Sequence, residues 1–419
     1  MAKNTDLPAK LTESLPPEVH DFLKNAGARA RELNSRLFLV GGGVRDILLD
    51  RAVIDLDLLV EGDAIHLARS LAENPDDLMI HHRFSTARLK WNDHIIDIAR
   101  SRQETYARPG VLPVVRPGSV EDDLARRDFS VNAMAISLNH DDWGRLFDRH
   151  GGQYDLEHRC IRVLHPASFI DDATRLWRAI RYEQRLGFDI EPKTLALFRR
   201  DLPLIESITP DRQRYELECV LGELEPEKVF WRACELGLLR YWHPALQGDK
   251  WLTAVCNRAR AAQTKPGPEV YLALLGWRLA PVQKEELIAG LRLTRRQSRT
   301  LHDSSVIIEG MPLLASPNTA PSRISGLLRG LCDEALFAGL AAIDSETARC
   351  NITRFMKRWR DVVPELTGED LKLMGVPQGP EIKRLLDDLR DRRLDGAITN
   401  RGQEESIVRD WCCIPRESV

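Results

Sequence analysis

Asp55 and Asp57 lie two positions apart in the apolar run Ile54–Val60. Such a run reads as a strand, where side chains i and i+2 leave the same face. Both carboxylates then project together, while Ile54, Leu56 and Leu58 face the other way. Like charges this close repel unless a cation sits between them. Magnesium meets that need, because it takes oxygen ligands and commonly links carboxylates to substrate phosphates. A pair of such ions suits phosphoryl transfer: one lowers the pKa of an attacking hydroxyl, the other neutralises a triphosphate and its leaving pyrophosphate. Two ordinary acids at a solvated strand end explain the pair equally well in isolation. What favours chemistry is its place nine residues after Asp46, in the next strand of the same unit. Asp97, in Ile95–Ala99, is a candidate third carboxylate, with a plain surface aspartate as the simpler reading.

Three further segments supply groups that bind anions or read bases. Gly41-Gly42-Gly43-Val44-Arg45-Asp46 places glycines between a strand and a helix, where backbone N–H groups approach phosphate oxygens and Arg45 adds a charged fork. A simple turn is the bland alternative. Arg126-Arg127-Asp128 opens an apolar segment; Arg127 is placed to hold triphosphate or ribose, with Asp128 orienting it. Arg175, Arg178 and Arg181 recur every three residues behind Asp172, forming one stripe on a helix. Such stripes are usually solvated faces, but Leu176, Ala179 and Ile180 supply a separate apolar face, which leaves the arginines free to line a cleft.

The elements that must position these groups follow from periodicity. Leu37–Val40 and Ile54–Val60 read as strands, Val44–Leu49 and Ala64–Ala72 as helices, and Ala87–Trp91 with Ile95–Ala99 as a hairpin around Asn92-Asp93. Ser130–Leu138 reads as a further helix or buried segment. From Asp171 onward helix follows helix, with no convincing alternating strand after about residue 165 and an interhelical loop at Ser316–Pro321. At 419 residues the chain implies several domains. Its 43% hydrophobic and 29% charged composition is that of a globular protein. The net charge of −3 argues against a surface coated in positive charge for bulk nucleic-acid binding. Eight cysteines without a CxxC pair favour neither a zinc ribbon nor a disulfide framework. With no long apolar span and no apolar leader at the N-terminus, a cytoplasmic protein is expected.

Taken together, LVGGGVRD, DLD, RRDFSVNAMA and DDATRLWRAIR, in that order and spacing, resemble the class II tRNA nucleotidyltransferase and bacterial poly(A) polymerase family. The resemblance spans roughly residues 35–220, about half the chain. It implies an α+β fold: a small polymerase-beta-like α/β head followed by an all-helical neck, body and tail. The implied division is 1–30 for an N-terminal arm and first helix, 31–165 for the head, 166–230 for the neck and 231–419 for the body and tail. Asp55 and Asp57 would hold Mg2+ and carry catalysis. Gly42, Arg45 and Arg127 would contact the incoming nucleotide. Asp172 and Arg175 would pair with the edge of its base in place of a template, with Arg178 and Arg181 completing the site. An acid offering acceptors and an arginine offering donors is a sensible way to separate C and A from G and U. Arg212 and Glu216, in Asp211–Glu216, would brace the base-reading helix. Departures from the family pattern are mild: Pro210-Asp211 where Glu is usual, and Asp171-Asp172 where Glu-Asp is usual. The Ser101–Val120 stretch corresponds to the family's flexible loop. Its Tyr106, Pro109 and Pro113 resemble a subgroup that divides C and A addition between two enzymes.

The implied activity is a nucleotidyltransferase of EC 2.7.7 type, adding CMP and/or AMP from CTP and ATP to a tRNA 3′ end, with the tRNA acceptor arm as partner. Arg292, Arg295, Arg296 and Arg299 form a basic cluster for RNA backbone contacts, and Arg354, Lys357, Arg358 and Arg360 form another. Ordinary solvated helix faces are the alternative for both. Lys383, Arg384, Arg390, Arg392 and Arg393 are interleaved with acids, which favours a solvated face. His81-His82 and His165 are expected to be isolated from suitable acids, so no phosphatase is predicted. A poly(A) polymerase is the first alternative function, and an RNA-binding protein with a decayed catalytic head the second. Intact Asp55 and Asp57 argue against the latter.

Overall fold

The computed structural model describes residues 7–52, 56–105, 114–262 and 265–413. Asp55, Tyr106, Pro109 and Pro113 lie outside the described residues. The chain forms two compact units, Met1–Glu216 and Leu217–Val419. The division falls inside the helix Pro210–Leu221, so the expected head and most of the expected neck share one unit.

The first unit is built on a mixed sheet. Its strands are β1 (Arg36–Val40), β2 (Leu56–Glu61), β3 (Leu78–His81), β4 (Thr86–Trp91), β5 (His94–Arg100), β8 (Ala135–Ser137) and β9 (Leu146–Phe147). The order is β3-β4-β5-β2-β1-β8-β9. Within this sheet, among the described residues, β2 and β5 are the one parallel pair. Between β5 and β8 the chain forms a separate hairpin, β6 (Arg102–Thr105) with β7 (Val114–Pro117). The expected hairpin is present as β4 and β5, turning at Asn92 in the left-handed region (φ 51), where asparagine is tolerated better than most residues. Four of the five β1 residues are buried, and the helix Pro17–Glu32 lays Val19, Phe22, Leu23, Ala26 and Ala30 into the core. Proline at its first turn costs no hydrogen bond there.

One open sequence reading is resolved and one expectation is corrected. Of the two readings for Ser130–Leu138, the buried segment holds and the helix does not: a 3-10 turn at Ser130–Asn132 leads into β8, which pairs with β1 through Phe38 and Ser137. Its continuous apolar run is equally compatible with a fully buried strand, and the partner strand decides. A strand also exists after residue 165: β11 (Asp189–Ile190) pairs in parallel with β10 (Cys160–Ile161). At two residues it is too short to show alternation.

The second unit is helical throughout its described residues. It holds one apolar core around Ile307, Leu336, Ile352 and Phe355, and a second around Leu371, Leu385, Leu389 and Val408. Among the described residues no helix is long and apolar enough to cross a membrane.

Candidate active site

A cleft of about 880 Å3 opens in the first unit. Gly41 and Gly42, between β1 and the helix Gly42–Leu48, form part of its wall, with Asp57 of β2 beside them. Gly41 has φ 70 and ψ −130, a conformation essentially restricted to glycine. A Cβ there would also stand 2.8 Å from Arg127 Nη1 and 3.6 Å from an Asp57 carboxylate oxygen. The backbone bend and the close approach of the arginine both exclude a side chain.

Asp57 and Asp97 are direct partners in the parallel β2–β5 ladder, so they occupy the same sheet face. Asp97 is committed to a two-pronged pair with Arg88 at 2.8 and 2.9 Å and does not line the cleft. Among the described residues no group of three or more His, Cys, Asp or Glu side chains forms a metal cage. Of the two expected metal ligands, Asp57 is described and lines the cleft, and a carboxylate there is the oxygen donor that a hard cation takes.

The rest of the lining is a network of arginines already matched by acids and carbonyls. Asp123, fully buried, accepts from Arg126 Nε at 2.9 Å and from Arg127 Nη2 at 3.1 Å. Arg126 also donates to Glu104 at 3.0 Å. Arg175 donates to Ser168 Oγ at 2.7 Å and to the Arg126 carbonyl at 2.7 Å. Arg178 grips Asp128 at 2.6 and 2.8 Å and lies over the Tyr182 ring. The expected pairing of Asp128 with Arg127 is therefore corrected: Asp128 holds Arg178, and Asp123 holds Arg127. Asp123 pairs locally, at the i+3 and i+4 spacing of Arg126 and Arg127, whereas Arg178 reaches Asp128 from fifty residues away.

Burial by itself would raise the Asp128 carboxyl, but Arg178 and Asn132 outweigh it and hold the group below the usual carboxylate range. Asp128 in turn pushes the Arg178 guanidinium still higher, against burial. The acid is thus an anion and the base a cation at any physiological pH.

Asp172 is equally well held. Both its oxygens accept from Arg212 Nη2 at 2.8 Å, and Oδ1 also takes the Thr174 N–H at 3.0 Å and hydroxyl at 2.8 Å. Glu216 lies 3.8 Å from Arg181 and is nearly buried, and burial raises its carboxyl against the pull of Arg181 and Arg178.

Of the residues expected from sequence, Gly42, Asp57, Arg127, Asp128, Asp172, Arg175, Arg178, Arg212 and Glu216 line this one cleft. Arg45 and Arg181 do not. Arg45 is buried behind it, donating to Asn132 Oδ1 at 2.8 Å and to both Asp46 oxygens. Glu104, Phe84, Val115 and Tyr215 also line the cleft without having been singled out for a role. Phe84, Glu104 and Val115 arrive from elements far apart in sequence, and no local pattern marks them. The isolation expected for His165 is also corrected: its Nε2 stands 3.6 Å from an oxygen of Asp171, a cleft residue. Burial lowers its pKa against that acid.

The Arg292–Arg299 cluster belongs to the second unit. Arg296 is paired with Glu269 at 3.2 Å and Glu334 at 2.7 Å, and Arg299 with Asp303 at 3.5 Å and the Gly330 carbonyl at 2.6 Å. Arg295 is exposed, and Arg292 takes a left-handed conformation (φ 49) at a helix end. Arg384 and Arg392 pair with interleaved acids at the surface, as expected, but Arg390 is buried and Arg393 reaches the buried Glu404, so the face is only partly solvated.

A family model described as the poly A polymerase head domain matches residues 37–162, and one described as the probable RNA and SrmB-binding site of polymerase A matches 187–249. The chain is 33% identical to an A-adding tRNA nucleotidyltransferase of Geobacter sulfurreducens, over 95% of this chain and 48% of that protein. It therefore spans about half the length of that relative. It is 31% identical to an A-adding tRNA nucleotidyltransferase of Halalkalibacterium halodurans, covering 93% of this chain and 92% of that one. Identity to a CC-adding tRNA nucleotidyltransferase of Deinococcus radiodurans is also 31%, over 95% of each. Among solved structures, the Thermotoga maritima CCA-adding enzyme complexed with tRNA superposes with a TM-score of 0.73 at 27% identity, covering 97% of this chain and 98% of that one. A CCA-adding enzyme complexed with ATP gives 0.78 at 28%, covering 96% and 97%.

Proposed function

The chain belongs to the tRNA nucleotidyltransferase and poly(A) polymerase family, and on that premise we propose that it extends the 3′ end of tRNA with CMP and/or AMP from CTP and ATP, without a template. The observation that carries this reading is the cleft itself, which brings Asp57 and the Gly41-Gly42 bend together with Arg127, Asp172, Arg175 and Arg178. Acids and arginines together line a space of the size that small-molecule sites take.

Family membership brings dependence on a divalent metal, and Mg2+ is the ion proposed, held by Asp57 together with Asp55. When bound, it supplies Lewis-acid activation of the 3′-hydroxyl and charge neutralisation on the triphosphate. The chain's own groups do the rest. Gly41 and Gly42 let the backbone approach the phosphates, and Arg127 offers donors to them. Asp172 and Arg175, held by Arg212 and Ser168, present an acceptor and donors to the base edge. Because these groups are locked before substrate arrives, little ordering cost falls on the reaction. Arg45 and Arg181, standing behind the wall, take supporting roles through Asn132 and Glu216. The division into head 31–165, neck 166–230 and helical remainder is kept as a functional one, and the cytoplasm as the place of action.

Addition of the terminal A is the leading form of the activity, because the Geobacter and Halalkalibacterium relatives are both named as A-adding. The test is addition to tRNA transcripts ending at the discriminator base, at C and at CC, each with CTP, ATP or both and Mg2+. Addition of one A to the CC transcript alone supports the leading form. Completion of CCA on all three makes it a full CCA-adding enzyme, and long A tails a poly(A) polymerase. No addition to any transcript overturns the reading.

A further inference from the structure

The second unit contains two basic clusters that look alike in sequence and differ in what surrounds them. In the helix Arg295–Glu309, Arg296 and Arg299 are neutralised by Glu269, Glu334 and Asp303. The helix Glu346–Arg354 instead runs on into a π-helical turn, Phe355–Trp359, closed by a hydrogen bond from Arg360 N to the Phe355 carbonyl at 2.9 Å. Arg354, Lys357 and Arg358 there are exposed, and among the described residues no carboxylate pairs with any of the three. The neighbouring Arg360 is neutralised by Asp333, which leaves those three as the net charge of the turn.

Packing sets which side chains of this stretch face inward. Ile352 and Phe355 are buried in the apolar core of the unit, with Met356 and Trp359 packed against it. Arg354, Lys357 and Arg358, interleaved with them, are left at the surface. π turns are rare and concentrate where a chain carries a function. Three cations without counter-charges repel one another. They gain most from a polyanion that supplies several anionic oxygens at a regular spacing, as an RNA backbone does.

We propose that Arg354, Lys357 and Arg358 form a docking face for the phosphate backbone of the tRNA, and that the better-populated Arg292–Arg299 cluster contributes little. The inference rests on the proposed tRNA substrate. The face lies outside the segment 187–249 matched as RNA-binding. It makes no base contact, so it positions RNA without reading its sequence.

The test uses the full chain and a tRNA transcript, with affinity measured across a series of salt concentrations. Each phosphate contact contributes about 0.7–0.9 to the slope of log affinity against log salt. Replacing Arg354→Gln, Lys357→Gln and Arg358→Gln together is expected to flatten that slope by about 2–3. The same variant should raise KM for tRNA about tenfold or more at low salt, with kcat at saturating tRNA unchanged. Arg354→Lys with Arg358→Lys should restore the slope, whereas Arg296→Gln with Arg299→Gln should leave it unchanged. If the triple variant fails to fold, each single glutamine variant should flatten the slope by about 0.7–0.9. An unchanged slope in a folded variant, with wild type binding and extending tRNA, overturns the docking face. Failure of the wild type to bind tRNA at all overturns the substrate reading instead.

Discussion

Arg175, Arg178 and Arg181 recur every three residues, and Arg292, Arg295, Arg296 and Arg299 repeat at similar spacing. In the first unit, Arg175 and Arg181 are each about 5% exposed, and Arg178 is bound to a nearly buried aspartate. In the second, Arg296 and Arg299 lie at the surface, paired with acids that water also reaches. A buried pair is expensive to break, because the surviving charge has neither water nor partner. An exposed pair exchanges one weak partner for water at almost no cost. Similar spacing therefore marks a rigid site in one unit and a solvated face in the other, and the carboxylates brought in by the fold make the difference.

The largest effect expected on the first side of this contrast is chemical. Asp57→Ala should lower nucleotide addition by a factor of about 1000 or more while tRNA affinity is kept, read by single-turnover assay alongside a binding isotherm. Asp55→Ala should do the same, and an active Asp57→Ala variant would remove the metal assignment.

Next comes the wall. Arg178→Ala leaves the Asp128 carboxylate unpaired and should destabilise the protein by about 3–5 kcal/mol, measured by denaturant unfolding. The pH dependence has a definite sign. The folded pKa of Asp128 lies below its ordinary value, so its stabilisation is fully present above that ordinary value and is lost as pH falls through the folded one. On acidification below about pH 4, wild type should lose more stability than Arg178→Ala. Parallel loss in both proteins would show that Asp128 gains nothing from the pair.

A third test examines a buried cation with no carboxylate hydrogen-bonded to it. Lys284, 1% exposed, donates to Ser304 Oγ and Ser305 Oγ, each at 2.8 Å. Burial pulls its pKa down to about 8, with Glu309 as an opposing but weaker influence. The unfolded chain titrates near 10.4, so between about pH 8 and 10 it binds the extra proton and folding stability rises with pH. Below pH 8 both states carry the proton and the full cost is borne. Lys284→Met should therefore raise stability by about 1–3 kcal/mol at pH 7, an advantage that shrinks toward pH 10. Thermal melts at the two pH values decide it, and a less stable variant at pH 7 would mean that the serine bonds outweigh burial.

The smallest change is expected at the surface. Arg296→Gln should alter stability by less than about 0.5 kcal/mol. A loss of 2 kcal/mol or more would erase the contrast between the two clusters.

Much of the head was legible because its signals are local. The glycine bend, the strand carrying Asp57 and the two-residue turn at Asn92 each follow from backbone sterics over a few residues. Ser130–Leu138 stayed open between a helix and a buried segment because a continuous apolar run looks the same in a buried strand and a buried helix, and only pairing with β1 separates them. The partner of Asp128 was misread because Arg178 lies fifty residues away, and sequence proximity favoured Arg127. His165 and Asp171 are six residues apart, too far for a regular helical pairing, and the turn that joins them is not visible in composition.

By itself, the sequence determined which groups exist and which are near neighbours: the acidic strand, the glycine bend, the arginine stripe and the sequence of helices. Those follow from chain periodicity and steric limits that act over a turn or two. Only the tertiary structure decided which arginines lost their water and to which acids they turned. Desolvation, and pairs such as Arg178 with Asp128 or Arg212 with Asp172, depend on distances between residues far apart in the chain, which no local spacing encodes.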